Sequence, residues 1–208
     1  MSRPNPVGWL AASLLILGLL AGACGGSATP EAPAAPTATP DPLAGWIDYA
    51  APDGGFTARL PQAPDVQSQT VPTEAGDIEI VMYIVENADG ALLLSHNELP
   101  PVLAEPVVAG DAEVIKGMLD GGRDVALGNV SGVLQSETDI TVDGMPGREI
   151  SFTVDGSSSP TGEAINGRAR IFVTSDRLWQ VLALATQDSM DQDQINAFFE
   201  SFKVAVEQ

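Results

Sequence analysis

The stretch Ser189-Met-Asp-Gln-Asp-Gln-Ile-Asn-Ala-Phe-Phe-Glu-Ser-Phe202 decides the fold, because it carries the clearest amphipathic helix pattern in the chain. Its large apolar residues recur at i, i+3, i+4 and i+7, on one helical face: Ile195, Phe198, Phe199 and Phe202. Ser189 and Gln192 have the spacing of a capping box, with two aspartates in the first turn. Half of the chain's six phenylalanines lie on this face, so we expect the helix to pack against a sheet.

Strand patterns dominate the chain between residues 43 and 98. Five segments rich in β-branched, aromatic and other apolar residues are separated by turn residues: Trp46–Tyr49, Phe56–Leu60, Val66–Val71, Ile78–Val85 and Ala91–Ser95. Asp-Gly at 53–54 and 89–90 is a hairpin signal, because glycine accepts the positive φ of a tight turn. The proline-rich stretch Leu99–Pro106 predicts irregular structure.

The remaining part of the chain predicts a helix followed by an antiparallel meander. The helix begins at Asp111, a typical N-cap, and its glycines at 117, 121 and 122 require support from tertiary packing, with a close approach to the sheet. Four strands follow: Val133–Val142, Arg148–Val154, Arg168–Val173 and Leu178–Leu184. A flexible serine-rich loop is expected at 156–162. With the terminal helix, these elements predict an α+β fold, a central antiparallel sheet flanked by helices.

The N-terminus predicts export. An apolar run from Val7 to Leu20 follows Arg3 and precedes Ala21-Gly-Ala-Cys24, which contains the chain's single cysteine. These are the parts of a secretory signal, and the run is short for a membrane span of ~20 residues. The small residues before Cys24 resemble the lipobox of bacterial lipoproteins. An ordinary signal peptide with an incidental cysteine and an uncleaved membrane helix are the alternatives.

The lipobox resemblance implies how the chain is processed and held. Residues 1–23 would be a signal peptide, and Cys24 would carry a diacylglycerol thioether and further acyl chains. Apart from this covalent lipid, no cofactor is expected. Two or three acyl chains anchor a protein stably, where one binds only marginally. The expected location is the cell membrane, lipid-anchored, on the extracytoplasmic side.

Composition separates a spacer from one globular domain. Residues 24–42 comprise Cys24 and a segment rich in Pro, Ala and Thr, which cannot bury enough apolar surface to order itself and favours extended polyproline II. Residues 43–208 are a suitable length for a single α+β domain. With no cysteine left for a disulfide, the domain depends on its apolar core.

The charge balance excludes one class of partner. Residues 24–208 carry 28 acidic and 8 basic side chains, the chain's 9 basic residues less Arg3, for a net charge of −20. Such a surface repels phosphate backbones, so nucleic-acid binding is not expected. The charge has two interpretations, solubility of an exported domain or attraction of cations or a basic partner.

Three short motifs show a resemblance to a known group. They are Asp53-Gly-Gly-Phe56 with Arg59-Leu-Pro61, Asp143-Gly144 with Pro146-Gly-Arg-Glu149, and Phe199-Glu-Ser-Phe-Lys203. Together they resemble the PsbP-like group of exported proteins, which includes DcrB-type bacterial lipoproteins. The resemblance covers most of 43–208 and implies an α/β/α sandwich with a central antiparallel sheet. No functional residue of PsbP matches a position here, so the resemblance implies a fold and no activity.

Candidate catalytic and metal-binding residues are few. A zinc site formed by His96, the only histidine, with Glu98 and a distant carboxylate is one interpretation; a histidine at a strand end is the plainer one. The serines at 157–159 have no G-x-S-x-G elbow, which argues against a hydrolase. The aspartates 188, 191 and 193 lack the glycine and glutamate of a calcium loop, and helix capping explains them better. We therefore assign no catalytic residue and no metal ligand.

Three arginines are the candidate binding residues. Arg168 and Arg170 are two positions apart on one predicted strand, hence on the same side of it, and Arg148 belongs to a strand expected beside it. In an acidic protein this cluster is a candidate surface for an anion or a partner. A solvated face paired with nearby carboxylates is the alternative.

These observations favour a non-enzymatic accessory or binding domain that needs no cofactor. Its partner would be an envelope protein or a small ligand, contacted through a surface or groove. Two alternatives remain: an enzyme with a dispersed site that inspection of the sequence misses, and a divalent-cation-binding protein that uses the acidic surface.

Overall fold

The computed structural model describes residues 40–73, 76–87, 90–159, 162–186, 189 and 191–205. The predicted signal peptide, Cys24 and the predicted spacer up to residue 39 lie outside the described residues. The described strands are, in chain order, β1 (Ile47–Ala50), β2 (Phe56–Leu60), β3 (Asp65–Thr73), β4 (Gly76–Asn87), β5 (Gly90–Glu98), β6 (Gly132–Val142), β7 (Met145–Val154), β8 (Ile165–Val173), β9 (Arg177–Thr186) and β10 (Lys203–Val204). The described helices are α1 (Pro101–Val108), α2 (Ala112–Val130) and α3 (Gln192–Ser201).

The strands form two antiparallel sheets. The larger has seven strands in the order β3-β4-β5-β9-β8-β7-β6, and the smaller has three in the order β1-β2-β10. Each strand from β6 to β9 pairs with the next, so the predicted meander is confirmed. A mostly antiparallel sheet with helices confirms the predicted α+β class. The separate small sheet was not predicted, because β2 pairs with β10 from the other end of the chain.

The two faces of the large sheet carry different cores, since alternate residues of a strand point to opposite sides. On β9, Trp179, Val181 and Ala183 belong to a core with the small sheet and α3. The alternate residues Leu178, Leu182 and Leu184 belong to a core that includes residues of α1 and α2. This division determines which side chains can meet in a site.

Helix α2 begins where the sequence predicts. The carboxylate of Asp111 accepts hydrogen bonds from the backbone N–H groups of Glu113 and Val114, at 3.0 and 3.2 Å. The expected close approach to the sheet occurs at Gly122, where an added Cβ would lie 2.9 Å from the Cγ2 of Ile171. Gly117 and Gly121 face open space instead.

The irregular structure predicted for Leu99–Pro106 is wrong, because residues from Pro101 to Val108 form α1. A proline at the first helical position is favourable, since its fixed φ suits the helix and its missing N–H needs no partner there. Pro106 lies inside this short helix and costs one backbone hydrogen bond. The helix was missed because its stretch contains three prolines, of which Pro100 and Pro101 lie at its start and only Pro106 lies in its interior.

The predicted capping box of α3 is also wrong. Asp191 is the N-cap and accepts a hydrogen bond from the backbone N–H of Asp193, at 3.1 Å. Ser189 lies before the cap, where its hydroxyl contacts Thr186. The predicted apolar face is confirmed, because Ile195, Phe198, Phe199 and Phe202 are all buried, although Phe202 is already extended.

Two connections are more regular than predicted, and the first is shorter because β7 begins at Met145, three residues before the predicted Arg148. Val142 pairs with Met145, so the turn between β6 and β7 consists of Asp143 and Gly144 alone, both with positive φ. The predicted flexible loop at 156–162 begins with a 3₁₀ turn over Gly156–Ser158, whose N-cap Asp155 accepts from the N–H of Ser157.

Asp41, two residues before the predicted start of the domain at residue 43, already contacts the domain. The guanidinium of Arg59 pairs with the carboxylate of Asp41 at 2.9 Å and donates to the carbonyl of Leu43 at 2.6 Å. The side chain of Leu43 is buried. Among the helices that the structure describes, none is long and apolar enough to cross a bilayer.

Candidate functional site

His96 lies on β5 and is buried in the core beneath the small sheet. Its ring centre is 4.8 Å from that of Trp179 and 6.2 Å from that of Tyr83. The side chain is 6% exposed, and neither ring nitrogen has a hydrogen-bond partner in the described part of the chain. Burial lowers the pKa of His96, and the positive charge of Arg177 lowers it further. The imidazole is therefore neutral at pH 7.

Asp53, in the turn between β1 and β2, is the carboxylate that faces this histidine. Its Oδ2 lies 3.9 Å from His96 Nε2 and 3.1 Å from a guanidinium nitrogen of Arg177. Burial works to raise the pKa of Asp53, but a hydrogen bond from the N–H of Gly55 and the charge of Arg177 bring it below its usual value. Asp53 is thus an ionised partner of Arg177.

The zinc site considered for His96 has no ligand set among the described residues. Among the described residues, no three His, Cys, Asp or Glu side chains converge as metal ligands. The hydroxyl of Ser157 donates to Asp155 at 2.6 Å. The serines at 157–159 follow β7, and no described contact joins them to His96. Of the aspartates, Asp191 caps α3, Asp193 lies in its first turn, and Asp188 lies outside the described residues.

Arg168 and Arg170 share one carboxylate partner. The two oxygens of Glu149 each lie 2.7 Å from one guanidinium nitrogen, Nη2 of Arg168 and Nε of Arg170. Both guanidinium groups also lie over the ring of Phe199, at 5.4 and 4.9 Å from its centre. Burial raises the pKa of Glu149, but the two arginines outweigh it and hold that pKa low. These contacts dock α3 on the sheet.

Arg148 lies on β7, beside β8 as expected, but on the other face of the sheet. Its neighbour Glu149 points to Arg168 and Arg170, so Arg148 points to α2. Its buried guanidinium pairs with Asp120, with Glu137 at 2.8 Å and with Asp139 at 3.2 Å. The structure therefore does not bring the three predicted arginines together, and each has carboxylate partners.

One feature with the shape of a binding site is a groove that the sequence did not predict. In the described part of the chain, helix α2 packs on β6, β7, β8 and part of β9 and does not cover the same face of β3, β4 and β5 beside it. The resulting groove has a volume of about 330 Å³. Its apolar lining residues include Ile80, Met82, Leu93, Leu103, Met118, Val125 and Leu178. A volume near 300 Å³ is at the small end of the range for small-molecule sites.

Polar groups line the groove, but no described residue that lines it carries a charge. The polar side chains are Gln69, Ser95, Asn97, Asn129 and Gln180. This neutrality is unusual in a chain whose net charge is −19. The groove therefore combines apolar contact area with neutral hydrogen-bonding groups and no ionic partner.

The glycines of α2 explain why the groove stays open. Gly122 allows the helix to sit close to Ile171, while Gly121 lines the groove and has no atom within 4 Å of its would-be Cβ. Val125, one turn further along, also lines the groove and is 49% exposed. A side chain at position 121 would project into the free volume.

Comparisons with known proteins identify no family. No protein-family model matches the chain, and no curated protein matches it. The solution structure of cyanobacterial PsbP (CyanoP) from Synechocystis sp. PCC 6803 is similar over 88% of this chain and 98% of that one, at 13% identity and a TM-score of 0.47.

Two other solved structures are similar over less of the chain. A protein from Bacteroides thetaiotaomicron matches 77% of this chain and 48% of its own length, at 10% identity and a TM-score of 0.42. A protein of unknown function from Pseudomonas aeruginosa matches 69% of this chain and 85% of its own length, at 12% identity and a TM-score of 0.32. None of these similarities assigns a role to a residue of this chain.

Proposed function

We propose that the chain is a lipid-anchored, extracytoplasmic binding protein without enzymatic activity, with a PsbP-like sandwich fold, whose groove beside α2 holds a small neutral ligand. The observation that carries the ligand class is the absence of charge among the described residues lining the groove, in an otherwise strongly acidic protein. A charged ligand would lose its hydration there without an ionic partner in return. A neutral apolar ligand gains from the buried area at little such cost.

The polar side chains of the groove fit the same ligand class. Carboxamides such as Gln180 and Asn129 offer both donors and acceptors, and they lie beside apolar walls. A ligand with an apolar body and one or two hydroxyl, amide or carbonyl groups matches this distribution. The anchor part of the proposal rests on the lipobox before Cys24.

The groove is tested with the neutral dye Nile red and a pair of glycine variants. Gly121→Leu fills the free volume, whereas Gly117→Leu places the same side chain on the same helix, in open space and away from the lining. We expect saturable fluorescence enhancement in the wild type and in Gly117→Leu, and at least about tenfold weaker binding in Gly121→Leu. Equal affinity in the two variants, or no saturable binding, would overturn the assignment of the groove.

The anchor is tested separately by the intact mass of the membrane-extracted protein. We expect the mass of residues 24–208 plus acyl chains, and loss of membrane association in Cys24→Ser. An unmodified mass would contradict the anchor while leaving the dye experiment unaffected.

A further inference from the structure

A second cavity opens at the ends of β4 and β5, on the sheet face opposite the floor of the groove. It has a volume of about 430 Å³, and its lining includes Asp77, Glu79, His96, Glu98, Pro100 and Pro101. Pro100 also lines the groove, so the two cavities adjoin at this end of the sheet. We call this second cavity the acidic cleft.

Asp77, Glu79 and Glu98 line the acidic cleft, and Arg177, which faces Glu98 in the register of β5 and β9, is paired with Asp53 and Asp176 instead. Ile80 pairs with Asn97, so Glu79 and Glu98 are the next residues along the two adjacent strands. Like charges in facing positions on neighbouring strands repel each other. In the part of the chain that the structure describes, no ion pair involves Asp77, Glu79 or Glu98. The carboxylates near Arg148 and Arg168 are, in contrast, neutralised.

His96 adds a second, independent feature to this cleft. It lines the cavity while more than nine-tenths buried, and neither of its nitrogens has a hydrogen-bond partner among the described residues. A buried polar group without a partner costs free energy that a bound ligand can recover. The neutral imidazole offers one donor and one acceptor.

We propose that the acidic cleft binds a primary ammonium group on a short alkyl chain. An ammonium carries a positive charge and three N–H donors, which suit the carboxylates of Glu79 and Glu98, and the ring of His96 lines the same cleft. Pro100 and Pro101 provide apolar surface for the methylene stem. Such a group occurs in free diamines and at the end of a lysine side chain. This assignment is independent of the groove and its neutral ligand.

The single histidine makes the test specific, because its ring Hε1 gives one NMR signal in the whole chain. The full-length lipidated protein is held in detergent micelles and titrated at pH 7.5 with putrescine and, separately, with Nα-acetyl-lysine amide. Ionic strength is kept constant with potassium chloride. We expect saturable displacement of the His96 signal by at least one of the two amines. Saturation by putrescine alone identifies a free diamine, and saturation by both identifies the shared head group.

Two matched pairs of charge variants distinguish amine binding in the cleft from nonspecific attraction to the acidic surface. Glu79→Gln with Glu98→Gln removes two charges from the cleft, and Glu105→Gln with Glu113→Gln removes two charges from exposed positions on α1 and α2. We expect the first pair to weaken amine binding about tenfold and the second pair to leave it unchanged. Equal effects of the two pairs, or displacement of the signal by Ca²⁺, Mg²⁺ or Zn²⁺ but by neither amine, would overturn the proposal.

Discussion

The Nε2 of His96 lies 3.9 Å from Oδ2 of Asp53, too far for a hydrogen bond, and the ring nitrogens have no other partner in the described part of the chain. The charges that act on the imidazole are Arg177, which disfavours protonation, and Asp53, Glu98 and Asp176, which favour it. Burial is the largest effect and lowers the pKa of His96 below its ordinary value of 6.5. The folded protein therefore holds this histidine neutral where an unfolded chain takes up a proton.

The first prediction is that stability falls as the pH decreases below about 6.5. In that range His96 is protonated in the unfolded state but remains neutral in the folded state, because its pKa is lower there. Proton binding therefore favours unfolding. Urea unfolding at pH 7.5 and 5.5 measures the effect for the wild type and for His96→Gln. We expect a clear decrease in the wild type and a smaller one in the variant, because carboxylates stay ionised throughout this range. The same pH dependence in both proteins would contradict the role of His96.

The second prediction concerns the buried guanidinium of Arg148. We expect Arg148→Met to lower the free energy of unfolding by about 2 kcal/mol at pH 7, because several carboxylates lose a shared partner but remain partly solvated. Chemical denaturation measures this loss. Lys116→Met is the control: it removes an exposed partner of Asp120, and we expect a smaller effect.

The stabilisation by the ion pair of Arg148 with Asp120 should also depend on pH in the acidic range. Hydrogen bonds from Lys116 and Arg148 lower the pKa of Asp120 to about 2. Because this pKa is below the ordinary 3.8, the associated stability is present above pH 4 and is lost as the pH falls towards 2. The difference between wild type and Arg148→Met should therefore shrink between pH 4 and pH 2. A constant difference would show that Arg148 acts through packing alone.

The third prediction concerns the carboxylate shared by two arginines. Glu149→Gln leaves the guanidinium groups of Arg168 and Arg170 without their ionic partner beside Phe199. We expect a loss of about 1–2 kcal/mol in the free energy of unfolding at pH 7, measured by urea titration. Glu105→Gln on α1 is a matched neutralisation at an exposed site, with an expected change within about 0.5 kcal/mol.

The fourth prediction compares three of the four glycines of α2, those at 117, 121 and 122. Alanine at 117 or 121 meets no neighbouring atom, so the gain in helix propensity should raise the free energy of unfolding by up to about 1 kcal/mol. Alanine at Gly122 places a methyl 2.9 Å from the branched side chain of buried Ile171. We expect a net loss of about 1 kcal/mol there, measured by thermal and urea unfolding. A stabilising Gly122→Ala would refute the close packing of α2 on β8.

Local patterns predicted the strands from β1 to β9 and two helices, because burial alternates along a strand and recurs every three or four residues along a helix. The strand from Arg148 and the face formed by Ile195 and Phe198 are examples. Helix α1 was missed because its prolines normally interrupt helices, and the caps of α3 were confused because several polar residues adjoin its start. Only the second error lies at an element end, where neighbouring residues compete for the same backbone donors.

The site depends on relationships that a local pattern does not contain. Arg148 and Arg168 lie on opposite faces because Glu149 faces Arg170, and this register is known only once strands β7 and β8 are paired. The groove exists because α2 covers the β6–β8 half of one sheet face and leaves the β3–β5 half of the same face beside it, which follows from the strand order. The sequence contained one indication of the groove, the adjacent glycines 121 and 122 inside the predicted helix.

The pairing of β2 with β10 has a consequence for the timing of folding. Val204 pairs with Phe56, and the ring of Phe202 stacks on that of Phe56 at 5.4 Å. The first hairpin therefore lacks its partner strand and its covering ring until the end of the chain has been synthesised. Contacts between such distant segments make folding slow. A chain that folds slowly stays unfolded for longer after synthesis. An unfolded state is the one required of a protein that we propose is translocated across a membrane before it folds.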